Sequence, residues 1–269
     1  MRVVSLLFHD VYASDPHESG FRSPAADRYK LSTPSFEAQL DGLEDLRIPN
    51  PASRIPVVIT VDDGGISYYT VVADRLETRG LQGHCFVSTD LIGERGFLTA
   101  AQIRELDTRG HIIGTHSASH PPRFSALTAA RMRAEWVDSR RRLEDLLGRA
   151  VTVGSIPGGY FSADVARAAA ETGLRTLFTS EPTTKPSVVD ECTLIGRFTI
   201  RPGHPPDMSR RFASAAPWTR CGTWVRWNAK ALVKPMLGPS YARIADWLLE
   251  SGGSDKTRPP VKAASTNHG

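Results

Sequence analysis

Two adjacent carboxylates, Asp62 and Asp63, are the residues of this sequence best placed to do chemistry. They follow the apolar run Val57–Val61 and precede Gly64 and Gly65, where a buried strand is predicted to end. Two neighbouring carboxylates cannot both be buried and ionised without a cation or another strong partner. We therefore predict that one aspartate binds a metal ion while its neighbour acts as a base. The alternative interpretation is a plain Asp-Gly turn leaving the strand.

A pair of histidines, His116 and His120, follows a second predicted strand, Ile112–Thr115. Histidines four residues apart lie on one side of a helical turn, so both imidazoles can reach one ion. With one carboxylate they supply three protein ligands and leave positions open for water. The pair alone could be two solvent-facing side chains, but the two motifs together predict a catalytic metal centre.

The elements that must position these residues alternate between short apolar runs and helical patterns, which is typical of a parallel β/α architecture. About seven strands are predicted, near the number that a closed barrel needs. Both motifs follow predicted strands directly, and β/α barrels place their catalytic groups at that edge. The predicted strands are Val4–Phe8, Val57–Val61, His84–Val87, Ile112–Thr115, Val151–Ile156, Thr176–Thr179 and Arg197–Ile200.

Three segments are predicted along the chain: a barrel over residues 1–201, a helical extension over 202–250 and a disordered tail over 251–269. Within the barrel, an amphipathic helix is predicted from Leu127 to Leu147, and Gly148 ends it. A long polar loop between His9 and Leu31 is either functional or mobile. The tail is rich in Gly, Ser, Pro, Lys and Thr, a composition that does not bury a core.

The motifs, in their order, resemble those of the polysaccharide deacetylases, the NodB-like family also called carbohydrate esterase family 4. The resemblance covers roughly residues 1–201, and the two metal motifs are its specific part. The opening Leu7-Phe8-His9-Asp10-Val11 resembles members tied to exopolysaccharide synthesis. The motifs that carry the resemblance are Asp62-Asp63-Gly64, His116-x-x-x-His120-Pro121 and Ser155-Ile156-Pro157-Gly158-Gly159.

The resemblance implies a distorted (β/α)7 barrel of the NodB type and a role for each matched residue. Asp62 would be the general base, while Asp63, His116 and His120 would bind a divalent metal ion. Zinc is the first expectation for that ion, and cobalt, nickel or manganese also fit these ligands. The backbone N–H of Gly158 would stabilise the oxyanion, since glycine lets substrate approach closely.

The sequence departs from the family at two positions. Many members carry an arginine two residues before the proline, where it orients the catalytic aspartate, but this chain has Ser155 there. The family's late Leu-x-His motif, which supplies a general acid, is also not visible. His204, displaced from the expected spacing, is our candidate for that acid, and His9 at the end of the first strand is the alternative.

Composition and charge indicate which partners and which cellular compartment to expect. A net charge of +4 is mildly basic and, with no nucleic-acid motif, does not indicate nucleic-acid binding. Three cysteines without paired spacing favour reduced thiols in a cytosol, and the apolar N-terminal run is too short for a signal peptide. No stretch approaches the ~20 apolar residues of a membrane-spanning helix, so we expect a cytoplasmic protein.

The C-terminal region suggests contact with a membrane surface. Tryptophans alternate there with arginines and lysines, a pattern that suits a lipid interface. The alternative is that the tryptophans pack a helical cap onto the barrel. If the membrane interpretation holds, the substrate could be a lipid-linked sugar. The tryptophans concerned are Trp218, Trp224, Trp227 and Trp247.

The expected function is therefore metal-dependent removal of acetyl groups from the N-acetylated sugars of a polysaccharide or glycoconjugate. A second enzymatic interpretation keeps the site but makes the substrate an O-acetyl ester or a non-sugar amide. A third, motivated by Ser155 and the missing acid, is a catalytically degenerate glycan-binding protein. A non-haem iron oxygenase shares the ligand types but is expected on an all-β scaffold with a His-x-Asp motif, which this sequence lacks.

Overall fold

A computed structural model describes residues 2–44, 55–214, 218–225 and 227 of the chain. Residues 1–224 form one compact unit. The strands are β1 (Val4–Phe8), β2 (Val11–Tyr12), β3 (Leu31–Ser32), β4 (Val57–Val61), β5 (Gly83–Val87), β6 (Ile112–Thr115), β7 (Val153–Ser155), β8 (Thr176–Phe178), β9 (Ser187–Val189), β10 (Cys192–Ile195) and β11 (Phe198–Thr199). The helices are α1 (Pro24–Asp27), α2 (Thr33–Glu44), α3 (Ala73–Glu77), α4 (Ala100–Thr108), α5 (Ala129–Leu147), α6 (Ala163–Glu171) and α7 (Met208–Ala213).

One curled sheet of nine strands forms the centre, in the order β11-β1-β4-β5-β6-β7-β8-β10-β9. Its strands are parallel except β9, which forms an antiparallel hairpin with β10. Every residue of β1 is buried, which explains why its sequence is a continuous apolar run rather than an alternating one. Because the strands are parallel, their carboxyl ends meet at one edge, and this edge carries the predicted catalytic and metal-binding residues.

The predicted α/β barrel of the NodB type is confirmed, with a difference at its closure. We expected seven strands, but β9 and β10 extend the sheet beyond β8, while β11 pairs with β1 at the opposite end. Only Gly196 and Arg197 separate the end of β10 from the start of β11. Two linking residues reach at most ~11 Å between the flanking strands, so the two ends of the sheet face each other. We call this point the seam.

Helix α5 shows how the sequence sets the boundaries of an element. The Thr128 hydroxyl accepts a hydrogen bond from the Arg131 backbone N–H, and Gly148 ends the helix in the left-handed region at φ 67°. Trp136 and Leu143 are buried as predicted, and the charged Glu135 is buried beside them. A buried carboxylate needs partners, and those of Glu135 lie in the candidate site.

The predicted extension over 202–250 is described only in part. It contains α7, and residues 218–225 are helical. Most of its remainder, Trp247 included, and the predicted disordered tail over 251–269 lie outside the described residues. None of the described helices has the length and apolar composition to cross a bilayer.

Candidate active site

The carboxylate pair lies directly at the carboxyl end of β4. The Asp62 N–H donates to the Phe8 carbonyl at 3.2 Å, so the backbone still follows β1 there. The chain then turns sharply, with Asp63 at φ 79° and Gly64 also at φ 79°. A Cβ on Gly64 would lie 3.1 Å from Val87 Cα, so this turn requires glycine. Asp63 is a non-glycine residue in the left-handed region, a conformation that costs of order 1 kcal/mol or more and is typical of functional sites.

The two histidines are brought to Asp63 from the end of β6. His116 Nε2 and His120 Nε2 each lie 3.4 Å from Asp63 Oδ1. His116 Nδ1 lies 2.9 Å from the Ser155 carbonyl oxygen. A carbonyl can only accept, so Nδ1 carries the proton and Nε2 presents its lone pair to the site.

The segment from His116 to His120 is a loop, and our prediction of a helical turn was wrong. Ser117 at φ 67° and His120 at φ 52° are both in the left-handed region, which a helical turn excludes. The Glu135 carboxylate holds this loop instead: it accepts from the backbone N–H groups of Ala118 (3.1 Å) and Ser119 (2.8 Å) and from the Ser119 hydroxyl (2.7 Å). Convergence of the two imidazoles therefore depends on a charged residue of α5.

Asp63, His116 and His120 fit a divalent metal ion. One ligand atom from each lies within 4.8 Å of the others. Two donor atoms that are each about 2.1 Å from a tetrahedral ion stand about 3.4 Å apart, which equals both histidine–aspartate separations. Three protein ligands leave a position for water or substrate. Asp62 stays outside this set, with its Oδ2 at 3.8 Å from His116 Nε2.

Asp62 is instead bound by Arg197, a residue that the sequence analysis did not assign to the site. Arg197 Nη1 donates to Asp62 Oδ1 at 2.7 Å and Nη2 donates to Asp62 Oδ2 at 2.9 Å. Both side chains are buried, at 0% and 4% exposure. The available signal was a charged residue at the start of a strand predicted to be buried, because a buried guanidinium requires an anionic or polar partner.

The charges around the two aspartates oppose the effect of burial. Burial raises the pKa of Asp62, but Arg197 and His116 outweigh it and hold that pKa below its ordinary value. Burial likewise raises the pKa of Asp63, while the neighbouring His116 and His120 side chains bring it well below the usual range. Both carboxylates are therefore ionised at neutral pH, as a base and a metal ligand must be.

Gly158, the predicted oxyanion donor, lies beside the loop that carries His120. It follows β7 in a short 3-10 turn, Pro157–Gly159, with its own φ at 63°. A Cβ at this position would lie 3.2 Å from the Pro122 carbonyl oxygen and 3.3 Å from the Tyr160 ring. The lack of a side chain thus lets the Gly158 backbone pack closely against the loop that carries His120. Its role as oxyanion donor stays a prediction.

The two candidate acids lie in different surroundings. His9 at the end of β1 feels the charges of Asp63 and Asp62, and its buried Nδ1 has no hydrogen-bond partner among the described residues. Burial lowers the pKa of His9. His204 Nδ1 accepts from the Arg201 N–H at 3.4 Å, and Arg201 stacks on Tyr29, whose ring lies 4.8 Å from that of His9. The structure thus brings His9 to the carboxylates, whereas the charged neighbour of His204 is Arg201.

The long loop after β1 is an ordered wall of the site. The buried Lys30 ammonium donates to the carbonyls of Pro16 (2.6 Å), Ser19 (2.9 Å) and Phe21 (2.6 Å). This network fixes Phe21, whose ring lies 4.8 Å from that of His120. The loop therefore packs against the histidine loop through Phe21.

Comparisons with known proteins agree with the motifs. Residues 50–177 match the family model described as polysaccharide deacetylase. The "Putative polysaccharide deacetylase YxkH" of Bacillus subtilis (strain 168) is 29% identical over 154 residues, which are 57% of this chain and 53% of that protein. The match thus spans about half the length of that relative. The resemblance stated from the sequence is confirmed.

Solved structures agree with the fold. The Streptococcus pyogenes deacetylase PplD, in complex with acetate, superposes with a TM-score of 0.66 at 19% identity, over 80% of this chain and 99% of that one. IcaB from Ammonifex degensii gives a TM-score of 0.63 at 20% identity, over 79% and 97%. A de-N-acetylase from Aggregatibacter actinomycetemcomitans gives 0.63 at 16% identity, over 79% and 100%. At these identities the similarity establishes the architecture.

Proposed function

We propose that the protein, whose residues 50–177 match the family model described as polysaccharide deacetylase, is a metal-dependent hydrolase of the acetamido groups of a glycan. One observation carries the proposal: three metal-ligand side chains converge beside a second carboxylate, that of Asp62, which is ionised and lies outside the ligand set. That separation of a base from a ligand is what hydrolysis by an activated water requires.

The residues present define the division of labour. Asp63, His116 and His120 would hold a divalent ion, which when bound would lower the pKa of a coordinated water and polarise the acetyl carbonyl. Asp62 accepts the proton of the attacking water. The Gly158 N–H donates to the oxygen on which negative charge develops. We propose His9 as the acid that protonates the departing amine, because it lies beside both carboxylates; His204 is the alternative.

Acetate release tests the proposal. Purified protein is incubated with N-acetylglucosamine oligomers and, in parallel, with O-acetylated xylan. We expect release from the amide substrate that is lost on dialysis against a chelator and restored by zinc, cobalt, nickel or manganese. Asp62→Asn should lower kcat by about 10²- to 10⁴-fold while it retains metal binding, and His116→Ala should abolish metal binding. Absence of acetate release from either substrate by the metal-loaded wild type would refute the hydrolase.

The two substrates also separate the closest alternative. Preferential release from acetylated xylan would identify an O-acetyl esterase with the same site. The degenerate glycan-binding alternative was motivated by Ser155 and by the missing acid. The contact between Arg197 and Asp62 weakens the first of these grounds because it supplies the cation that residue 155 lacks.

We further propose that the C-terminal region contacts a membrane surface and that the substrate is a lipid-linked sugar met at the cytoplasmic face. Trp218 and Trp224 support this, since they are 83% and 47% exposed on a helical segment. Co-sedimentation with anionic vesicles should fall several-fold for Trp218→Ala/Trp224→Ala. Equal sedimentation of the variant and the wild type would rule out this contact.

A further inference from the structure

The strongest unassigned feature of the molecule is the guanidinium of Arg197 at the seam. Each of its five N–H donors has an acceptor. Nε donates to the Thr179 carbonyl (2.9 Å), Nη1 to Asp62 Oδ1 (2.7 Å) and Thr60 Oγ1 (3.3 Å), and Nη2 to Asp62 Oδ2 (2.9 Å) and Ser155 Oγ (2.8 Å). An arginine has no further donors, so its orientation is fixed by three neighbours as well as by Asp62.

This arrangement fixes the plane of the Asp62 carboxylate. Two parallel N–H···O bonds from one guanidinium constrain a carboxylate in both position and rotation. The Ser155 hydroxyl adds a third bond, to Asp62 Oδ2 at 3.1 Å. Since Ser155 also accepts from Arg197, the three side chains form a closed triangle. A buried ion pair contributes little to net stability, so stability alone is a weak reason for this triangle.

The backbone at the seam places the guanidinium there. Arg197 lies between β10 and β11, and its own N–H donates to the Glu181 carbonyl at 2.8 Å. A Cβ on the preceding Gly196 would lie 2.3 Å from that carbonyl oxygen, so only glycine permits this approach. The guanidinium also lies about 6 Å from the rings of Phe86 and Phe178, which exclude water from it.

The small side chain of Ser155 and the position of Arg197 depend on each other. Many members of the family that the motifs resemble carry the orienting arginine at the position of Ser155, before the proline. In this chain Ser155 is fully buried, with its Oγ 2.8 Å from Arg197 Nη2. A larger side chain at residue 155 would therefore occupy the space of the Arg197 guanidinium. A small residue at the end of β7 is therefore a condition for placing the arginine at the seam.

We propose that Arg197 is the positioning residue for the catalytic base: it holds the Asp62 carboxylate toward the metal site from the seam of the barrel, with Ser155 making room for it. Arg197 acts through Asp62, and none of its hydrogen bonds to the described residues goes to a metal ligand. This inference rests on the proposed function, because it assigns Asp62 as the base.

The test is a double-mutant cycle between Arg197 and Asp62, measured as kcat for acetate release with saturating metal. Arg197→Met should lower kcat by about 10²-fold with KM changed by less than about threefold. In the Asp62→Asn background the same substitution should lower kcat by less than about threefold, because a residue that acts through Asp62 has nothing left to position. Metal content per protein should stay equal to the wild type in all four proteins.

Two further variants keep the test decisive. Arg140→Met is the matched control: Arg140 also pairs with a carboxylate, Glu144, and with a carbonyl, that of Val151, but lies on α5 outside the site. It should leave kcat within about threefold of the wild type. If Arg197→Met does not fold, Arg197→Lys replaces it in the cycle, since lysine retains the charge but lacks the paired donors; about a tenfold loss of kcat is expected.

The outcomes separate the inference from the proposed function. Suppose that the wild type is active and that substitution of Arg197 lowers kcat by the same factor with Asp62 intact and in the Asp62→Asn background. That result would overturn the positioning role and leave the hydrolase intact. Unchanged kcat in the Arg197 variant would do the same. A metal-loaded wild type that releases no acetate would instead overturn the proposed function itself, and the role of Arg197 with it.

Discussion

At the scale of single residues, the candidate site depends on side chains that can exchange protons in a place largely closed to water. His9 illustrates this: its Nδ1 is buried without a partner among the described residues, and Asp62 and Asp63 lie close enough to raise its pKa against the lowering effect of burial. A neutral histidine beside carboxylates can take up the proton that Asp62 accepts from the attacking water and pass it to the departing amine. Which histidine acts as the acid therefore depends on whether His9 or His204 lies close enough to the departing amine.

His9→Ala should therefore lower kcat for an N-acetyl sugar by about 10²- to 10³-fold. The same variant should lose less than about tenfold with p-nitrophenyl acetate, whose leaving group needs no proton. His204→Ala, the matched comparison, should keep kcat within about threefold on both substrates because its charged neighbour is Arg201 and not the two carboxylates. An amide-selective loss in His204→Ala, and none in His9→Ala, would restore His204 as the acid.

At the scale of elements, strand ends were predictable and loop conformations were not. The runs Val4–Phe8, Val57–Val61 and Ile112–Thr115 are strands with the predicted bounds, because apolar runs buried on both faces leave an unambiguous signal. The four-residue spacing of the histidines predicted proximity correctly but for the wrong reason. Their loop depends on Glu135, 15 residues beyond His120 in the chain, and sequence spacing carries no information on such a contact.

The contact between Arg197 and Asp62 was hidden for a related reason. The two residues lie 135 positions apart in the chain. They meet because Asp62 follows β4 and Arg197 lies at the seam, just before β11. The short run Cys192–Ile195 was not predicted as a strand, so the closure of the sheet was misjudged. Without that closure, the sequence predicts Arg197 only as the first residue of the last strand and gives it no role in the site.

The support of the histidine loop by α5 leads to a prediction at this scale. Glu135→Ala removes the acceptor of three hydrogen bonds, so the loop loses the geometry that converges His116 and His120. We expect metal affinity to fall about 10- to 100-fold, as for other residues that orient metal ligands. Competition with a chelating dye measures this affinity.

Glu144→Ala is the control for this prediction. Glu144 also lies on α5, pairs with an arginine four residues before it and accepts a backbone N–H, that of Val151. Among the described residues, its hydrogen-bond partners lie outside the histidine loop. It should lower stability without changing metal affinity by more than about twofold. Equal losses of affinity in both variants would attribute the effect to α5 as a whole rather than to the loop.

At the scale of the whole molecule, the active-site edge concentrates buried acids whose pKa values move in opposite directions. Asp62 and Asp63 have lowered pKa values, so their contribution to stability is present at neutral pH and is lost as pH falls through their folded-state pKa. Asp10 differs: burial and the charge of Asp63 raise its pKa from 3.8 to about 6. Its contribution to stability is present below 3.8 and is lost as pH rises through about 6.

Asp10→Asn should therefore stabilise the folded protein in a pH-dependent way. The Ser19 and Ser67 hydroxyls both donate to Asp10 Oδ1, at 2.6 and 3.0 Å, and the asparagine carbonyl can accept both bonds. The difference between a pKa of 3.8 and one of about 6 corresponds to about 3 kcal/mol. The variant should thus gain up to about that free energy of unfolding at pH 8, relative to the wild type, and almost nothing at pH 4. Urea unfolding in chelator at the two pH values measures the gain, with the surface variant Asp41→Asn as control. A gain of equal size at both pH values would contradict the raised pKa of Asp10.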